Sequence, residues 1–147
     1  MIQSNPPIIT EQYFDVSIQT LWDAITQPDK MRQWFFEQME SFEARVGFKT
    51  QFNVETTDRN FLHKWKITEV IPYKKIVYHW SYVGYPGESF VSFEIVENKN
   101  KTNLRLTHSG TESFPQDIPE FTRESCQAGW DYFIKTGLKE YLKTLRN

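Results

Sequence analysis

The chain is poor in the residues that mark disulfide, metal and nucleic-acid chemistry. Cys126 is its one cysteine, so no intramolecular disulfide can form and a reducing compartment fits. Only three histidines are present, His63, His79 and His108, and no two stand at the close spacing of a metal-binding pair. Neither charge is in real excess: 17 basic residues meet 19 acidic ones, a formal net charge of −2. The nearest approach to a basic patch, Lys64, Lys66, Lys74 and Lys75, is interleaved with apolar residues. Nucleic-acid binders concentrate basic charge on a face, so no such partner is expected. No apolar run approaches the ~20 residues needed to span a bilayer, and no membrane segment is expected. The start, Met1-Ile2-Gln3-Ser4-Asn5-Pro6-Pro7, has neither the basic opening nor the apolar core of a secretory signal, which points to the cytoplasm. Glycine-rich phosphate loops and the G-x-S-x-G nucleophile elbow are missing as well, and no cofactor is expected.

What the chain has in abundance is rings: five Trp, seven Tyr and twelve Phe, an aromatic share of 16%. Aromatic side chains bring large apolar area and, in Trp and Tyr, a polar tip, so they suit either a ring-filled core or the wall of a ligand cavity. At 147 residues the chain has the length of one domain, 1–147 with a core at about 8–145, large enough to fold without staples.

Hydropathy divides it. Residues 8–16 alternate as a strand, with Ile8, Thr10, Gln12, Phe14 and Val16 on one side. Ser17 is a suitable N-cap for a helix over 18–26, and Pro28 suits the first turn of a second over 28–36. From 40 to 110 the period is two. Phe42, Ala44 and Val46 alternate before a turn at Gly47, and strands follow over 48–54, 62–71, 75–83, 89–97 and 102–109. The intervals at 56–60, 84–87 and 98–101 carry turn residues. A helical period returns at Pro119 and runs to about Leu145, with Trp130, Ile134, Leu138 and Leu142 in one stripe. Gly129 and Gly137 interrupt it. Each costs roughly 1 kcal/mol against Ala, so close approach to a strand or ligand is expected there. The pattern is α+β: an antiparallel sheet of about seven strands in the order β-α-α-β6-α, with a long C-terminal helix.

That order is the one of the helix-grip fold, a curved sheet wrapped around its last helix. The chain resembles the homologues of the activator of the heat-shock-protein-90 ATPase, within the START-like and pollen-allergen-like (SRPBCC) superfamily. The residues that carry the resemblance lie in four ordered segments. They are 16–35, ending in Trp34-Phe35; 67–80, with Pro72 between two strands; 102–110, Thr102 to Gly110; and Gly129-Trp130 before Leu138-Lys139-Glu140-Tyr141-Leu142. The resemblance covers the one domain and not the additional N-terminal domain of true chaperone activators. Three places depart from the family pattern: the single Gly47, His63 where glycine is common, and the acidic Glu120 and Glu124 at the start of the long helix.

The resemblance implies a pocket between sheet and helix. Trp34 and Phe35 would form a wall of its mouth. Phe52, Trp65, Tyr78, Trp80 and Phe93 share the inward strand parity, and Trp130 and Phe133 come from the helix. His108 is the polar residue among them. It is either a donor or proton carrier for a ligand, or a core histidine bonded to backbone or to a hydroxyl such as Ser109 or Tyr78. His79 has the opposite parity, which argues against a zinc triad with His63 and His108. Glu69, Glu94, Glu112 and Asp117 read as solvated carboxylates, and Cys126 as an inert small hydrophobe. No catalytic set emerges. The leading expectation is non-catalytic binding of a small hydrophobic or amphipathic ligand. The alternatives are a protein-interaction module of chaperone, stress-response or regulatory type and a cyclase- or hydrolase-like enzyme. A hydrophobic strand edge, or an exposed Phe35-Phe36 pair, would serve a homodimer; a monomer is the other option.

Overall fold

The computed structural model describes residues 6–99 and 101–145. The short leader before Pro6 and Asn100 of the 98–101 loop lie outside them. The chain opens with β1 (Ile8–Phe14), α1 (Ile18–Thr26) and α2 (Pro28–Trp34). Then come β2 (Lys49–Glu55), β3 (Asn60–Ile71), β4 (Lys75–Val83), β5 (Ser89–Asn98) and β6 (Lys101–Ser109). Two single 3-10 turns, Thr111–Ser113 and Pro119–Phe121, lead to α3 (Arg123–Asp131). A π-helical stretch, Tyr132–Leu138, joins α3 without a break to α4 (Lys139–Thr144). The six strands form one curved antiparallel sheet in the order β1-β6-β5-β4-β3-β2, and the C-terminal helix lies in its concave face. The architecture is α+β helix-grip.

Strand parity decides what faces the helix. Ile8, Thr10 and Phe14 of β1 point inward beside Leu104, Leu106 and His108 of β6, with Ile8 opposite His108. Val91, Phe93 and Ile95 of β5, Ile76, Tyr78 and Trp80 of β4, and His63, Trp65 and Ile67 of β3 continue the buried face. A bulge between Ile67 and Glu69 shifts the register and returns Val70 to the inner side, opposite Ile76. On the helix, Trp130, Ile134, Leu138 and Leu142 are buried, four positions apart, as one stripe must be. Ser17 caps α1, its Oγ accepting from the Thr20 N–H at 3.1 Å, and Pro28 occupies the first turn of α2.

Two elements differ from expectation. There are six strands rather than about seven, because residues 42–46 are not a strand. The segment precedes β2, the edge strand of the sheet, but makes no ladder with it and instead runs across the end of the core. Phe42 plugs that end against Tyr78 and Trp65, while Val46 stays 60% exposed. The alternation there records one anchored ring, not a ladder. The long helix starts at Arg123 rather than Pro119, because the Thr122 hydroxyl accepts from the Ser125 N–H and caps it. Before it, Phe121 turns into a satellite cluster with Phe61 and Phe114.

Candidate functional site

Most of the space between sheet and helix is filled by rings. Phe35 is buried and stacks between Trp34, at 4.8 Å between centroids, and Trp65, at 5.5 Å. It also meets Phe133 edge-on at 4.9 Å. The Trp34 indole N–H donates to the Ala24 carbonyl at 2.8 Å and ties α2 to α1. The Phe35-Phe36 pair is therefore not the exposed contact that a dimer would use: both rings pack inward, Phe36 against Phe52, His63 and Phe133.

Toward the other end of the helix the filling stops and leaves a cavity of about 170 Å³ that opens to solvent. Trp80, Tyr82, Phe36 and His63 wall it from the sheet side, and Trp130, Phe133, Cys126 and Gly129 from the helix. Glu120 stands at its rim, paired with Arg59 of the β2–β3 connection at 3.3 Å. A Cβ built on Gly129 would meet nothing within 4 Å, so the glycine leaves open space. At Gly137 the reverse holds: a Cβ would lie 2.9 Å from the Trp34 carbonyl oxygen, and only glycine lets the helix touch the end of α2. The close approach expected at the helix glycines is real at Gly137, against a helix end rather than a strand.

His108 lies in the cavity wall, inside a closed chain of hydrogen bonds. Its Nδ1 accepts from the Trp130 indole N–H at 3.0 Å, so the remaining proton sits on Nε2. That proton meets the Ser89 Oγ at 2.8 Å, and the Ser89 hydroxyl donates to the Trp80 carbonyl at 2.8 Å. The partner is Ser89, neither Ser109 nor Tyr78. Burial pushes the imidazole pKa down to about 3, and protonation would also set a new N–H against that of Trp130. His108 is a neutral, fully engaged strut.

His63 differs. Its Nδ1 donates to the Phe61 carbonyl at 2.9 Å, and among the described residues this is its one hydrogen bond, which leaves Nε2 as a bare acceptor. Burial holds its pKa down to about 4, so the ring is neutral. The Tyr82 oxygen accepts the Trp80 indole N–H at 2.9 Å, and burial raises the phenol pKa well above its usual value. Burial likewise pushes the Cys126 thiol up to about 11, so it carries no thiolate near neutral pH.

Of the residues nominated from sequence, Trp80, His108, Trp130 and Phe133 line this cavity. Trp34, Phe35, Phe52, Trp65, Tyr78 and Phe93 are buried in the packed layer beside it. His63 and Tyr82 share the inward strand parity, and Gly129 is marked in the sequence by its cost to the helix; Phe36 carries no comparable signal. His79 faces outward, with Nε2 3.4 Å from Glu88. Among the described residues no group of three His, Cys, Asp or Glu side chains could hold a metal ion, and no helix is long and apolar enough to cross a membrane.

Comparison with known proteins bears on the same frame. The family model described as "Activator of Hsp90 ATPase homolog 1-like protein" matches residues 15–143. No curated protein matches the chain by sequence. Among solved structures it is similar to DynU16, from the dynemicin biosynthetic locus, at 21% identity and TM-score 0.74. That match covers 95% of this chain but 48% of the other, so the chain spans about half of DynU16. A Chromobacterium violaceum protein is 19% identical at TM-score 0.75, over 92% of this chain and 95% of the other. The Aha1 dimer from Colwellia psychrerythraea is 19% identical at TM-score 0.70, over 96% and 98%. At these identities the likeness shows a shared fold.

Proposed function

The chain belongs to the family of Activator of Hsp90 ATPase homolog 1-like proteins, and from that premise we propose that it binds a small, mainly apolar ligand, without catalysis, between the sheet and the C-terminal helix. The observation that carries this reading is the cavity itself. In an interior otherwise packed with rings, about 170 Å³ is left open beside Trp80, Trp130 and Phe133, at a glycine that packing does not require. Apolar walls with a few placed polar groups are the usual make-up of a small-molecule site. Cyclase- or hydrolase-like chemistry draws no support from these residues: His108 has both nitrogens engaged, and the Cys126 thiol is held protonated.

Two of the five tryptophans line the cavity, so occupancy is readable by fluorescence. A panel of small aromatic and aliphatic probes is expected to quench Trp emission with saturation. At a hundredfold excess over Kd, a bound probe stabilises by about 2.7 kcal/mol, which raises Tm by about 5–10 °C. If no probe in the panel changes either reading, the ligand-binding assignment fails.

A further inference from the structure

We propose that the cavity selects a single small ring bearing a hydroxyl group, a phenol or a planar hydroxy-aromatic of similar size, held at that hydroxyl by His63 and Tyr82. This rests on the ligand-binding reading and adds the ligand's chemistry. Size comes first. A pocket of about 170 Å³ is close to the ~150 Å³ that accommodates benzene in an engineered apolar core, which is room for one ring. The flat walls of Trp80, Trp130 and Phe133 suit a ring.

The polar match comes from two groups with unused capacity. His63 is 6% exposed and lines the cavity, and with Nδ1–H committed to the Phe61 carbonyl its Nε2 can only accept. Tyr82 has its oxygen lone pair engaged by Trp80, so its own O–H remains to donate. The two ring centroids are 4.8 Å apart. One acceptor beside one donor is the complement of a hydroxyl, which donates to Nε2 and accepts from Tyr82. A purely apolar ring would leave both groups unpaired in a buried site. A carboxylate would face the His63 lone pair and the rim carboxylate of Glu120.

Toluene, anisole, phenol and benzoate, titrated by calorimetry and Trp fluorescence, test this on the unmodified protein. Phenol is expected to bind about tenfold more tightly than toluene or anisole, the latter accepting but not donating, and benzoate more weakly than all three. His63→Phe and Tyr82→Phe should each bring the ratio of phenol to toluene affinity from about tenfold to near one, with circular dichroism confirming the fold; a ratio unchanged in both would overturn the hydroxyl assignment. Gly129→Leu should abolish binding of every probe. Equal affinity for toluene and phenol would overturn the hydroxyl assignment and leave the ligand-binding reading standing. Unchanged phenol binding in Gly129→Leu would overturn the location. Absence of binding by all four would remove both readings.

Discussion

His108 and Tyr78 show how differently two buried polar groups behave on strands of one sheet separated only by β5. His108 closes a chain from the Trp130 indole through Ser89 to the Trp80 carbonyl, and no donor or acceptor in it is left over. Tyr78 is fully buried, yet its hydroxyl has no hydrogen-bond partner among the described residues. Opposite responses to side-chain deletion follow. Ser89→Ala strands the His108 Nε2–H and should destabilise by about 1–3 kcal/mol, whereas Tyr78→Phe removes a group that gains nothing from burial and should be neutral or stabilising. Urea midpoints of the two variants check the contrast; a loss in Tyr78→Phe equal to that in Ser89→Ala would contradict it. Strand parity alone pointed His108 inward beside Leu104 and Leu106. It could not name the partners, because Ser89 and Trp130 are brought there by β5 and α3, from 19 and 22 residues away.

The C-terminal helix carries two glycines that sequence reasoning treats alike and the fold treats differently. Both weaken a helix by roughly 1 kcal/mol against Ala. Gly137 sits in the π-helical stretch against the Trp34 carbonyl, where a methyl group would meet backbone at 2.9 Å. Gly137→Ala should therefore destabilise by about 1–3 kcal/mol despite its better propensity, through overpacking against a backbone that cannot move aside. Gly129→Ala has free space and should stabilise by up to about 1 kcal/mol while weakening probe binding in the cavity. Thermal melts with and without toluene separate the two effects. At this scale the sequence was informative where periodicity reflects packing: the stripe from Trp130 to Leu142, the five ladder strands between residues 48 and 109, and the capped first helix are all read from it. It misled where one ring imposes a pattern, as Phe42 does over residues 42–46. The π-helical stretch, where Gly137 packs against the end of α2, carries no such signal.

The molecule as a whole buries two imidazoles in a chain of near-balanced charge, and that sets its response to acid. His63 and His108 have pKa values held down by burial to about 4 and about 3, against about 6.5 in an unfolded chain. Above pH 6.5 both are neutral whether the chain is folded or not, and folding is unaffected. Below it the unfolded chain binds two protons that the folded one refuses, so stability falls as pH falls. The slope approaches about 1.4 kcal/mol per pH unit for each histidine, or roughly 2.7 for the pair, across pH 6 to 4.5. Glu11, whose pKa is lowered by hydrogen bonds from Asn103 and Arg105, adds a loss of the same sign that sets in as pH falls toward its unfolded value of 4.5. Urea unfolding at pH 7.5, 6.0, 5.25 and 4.5 should show a plateau followed by this decline, and His63→Phe should halve the slope without moving its onset. A protein whose stability stayed level to pH 4.5 would mean that the imidazoles are reached by solvent in the native state. The wall that His63 gives the cavity would then be open to water, and the acceptor it offers a ligand would already be satisfied.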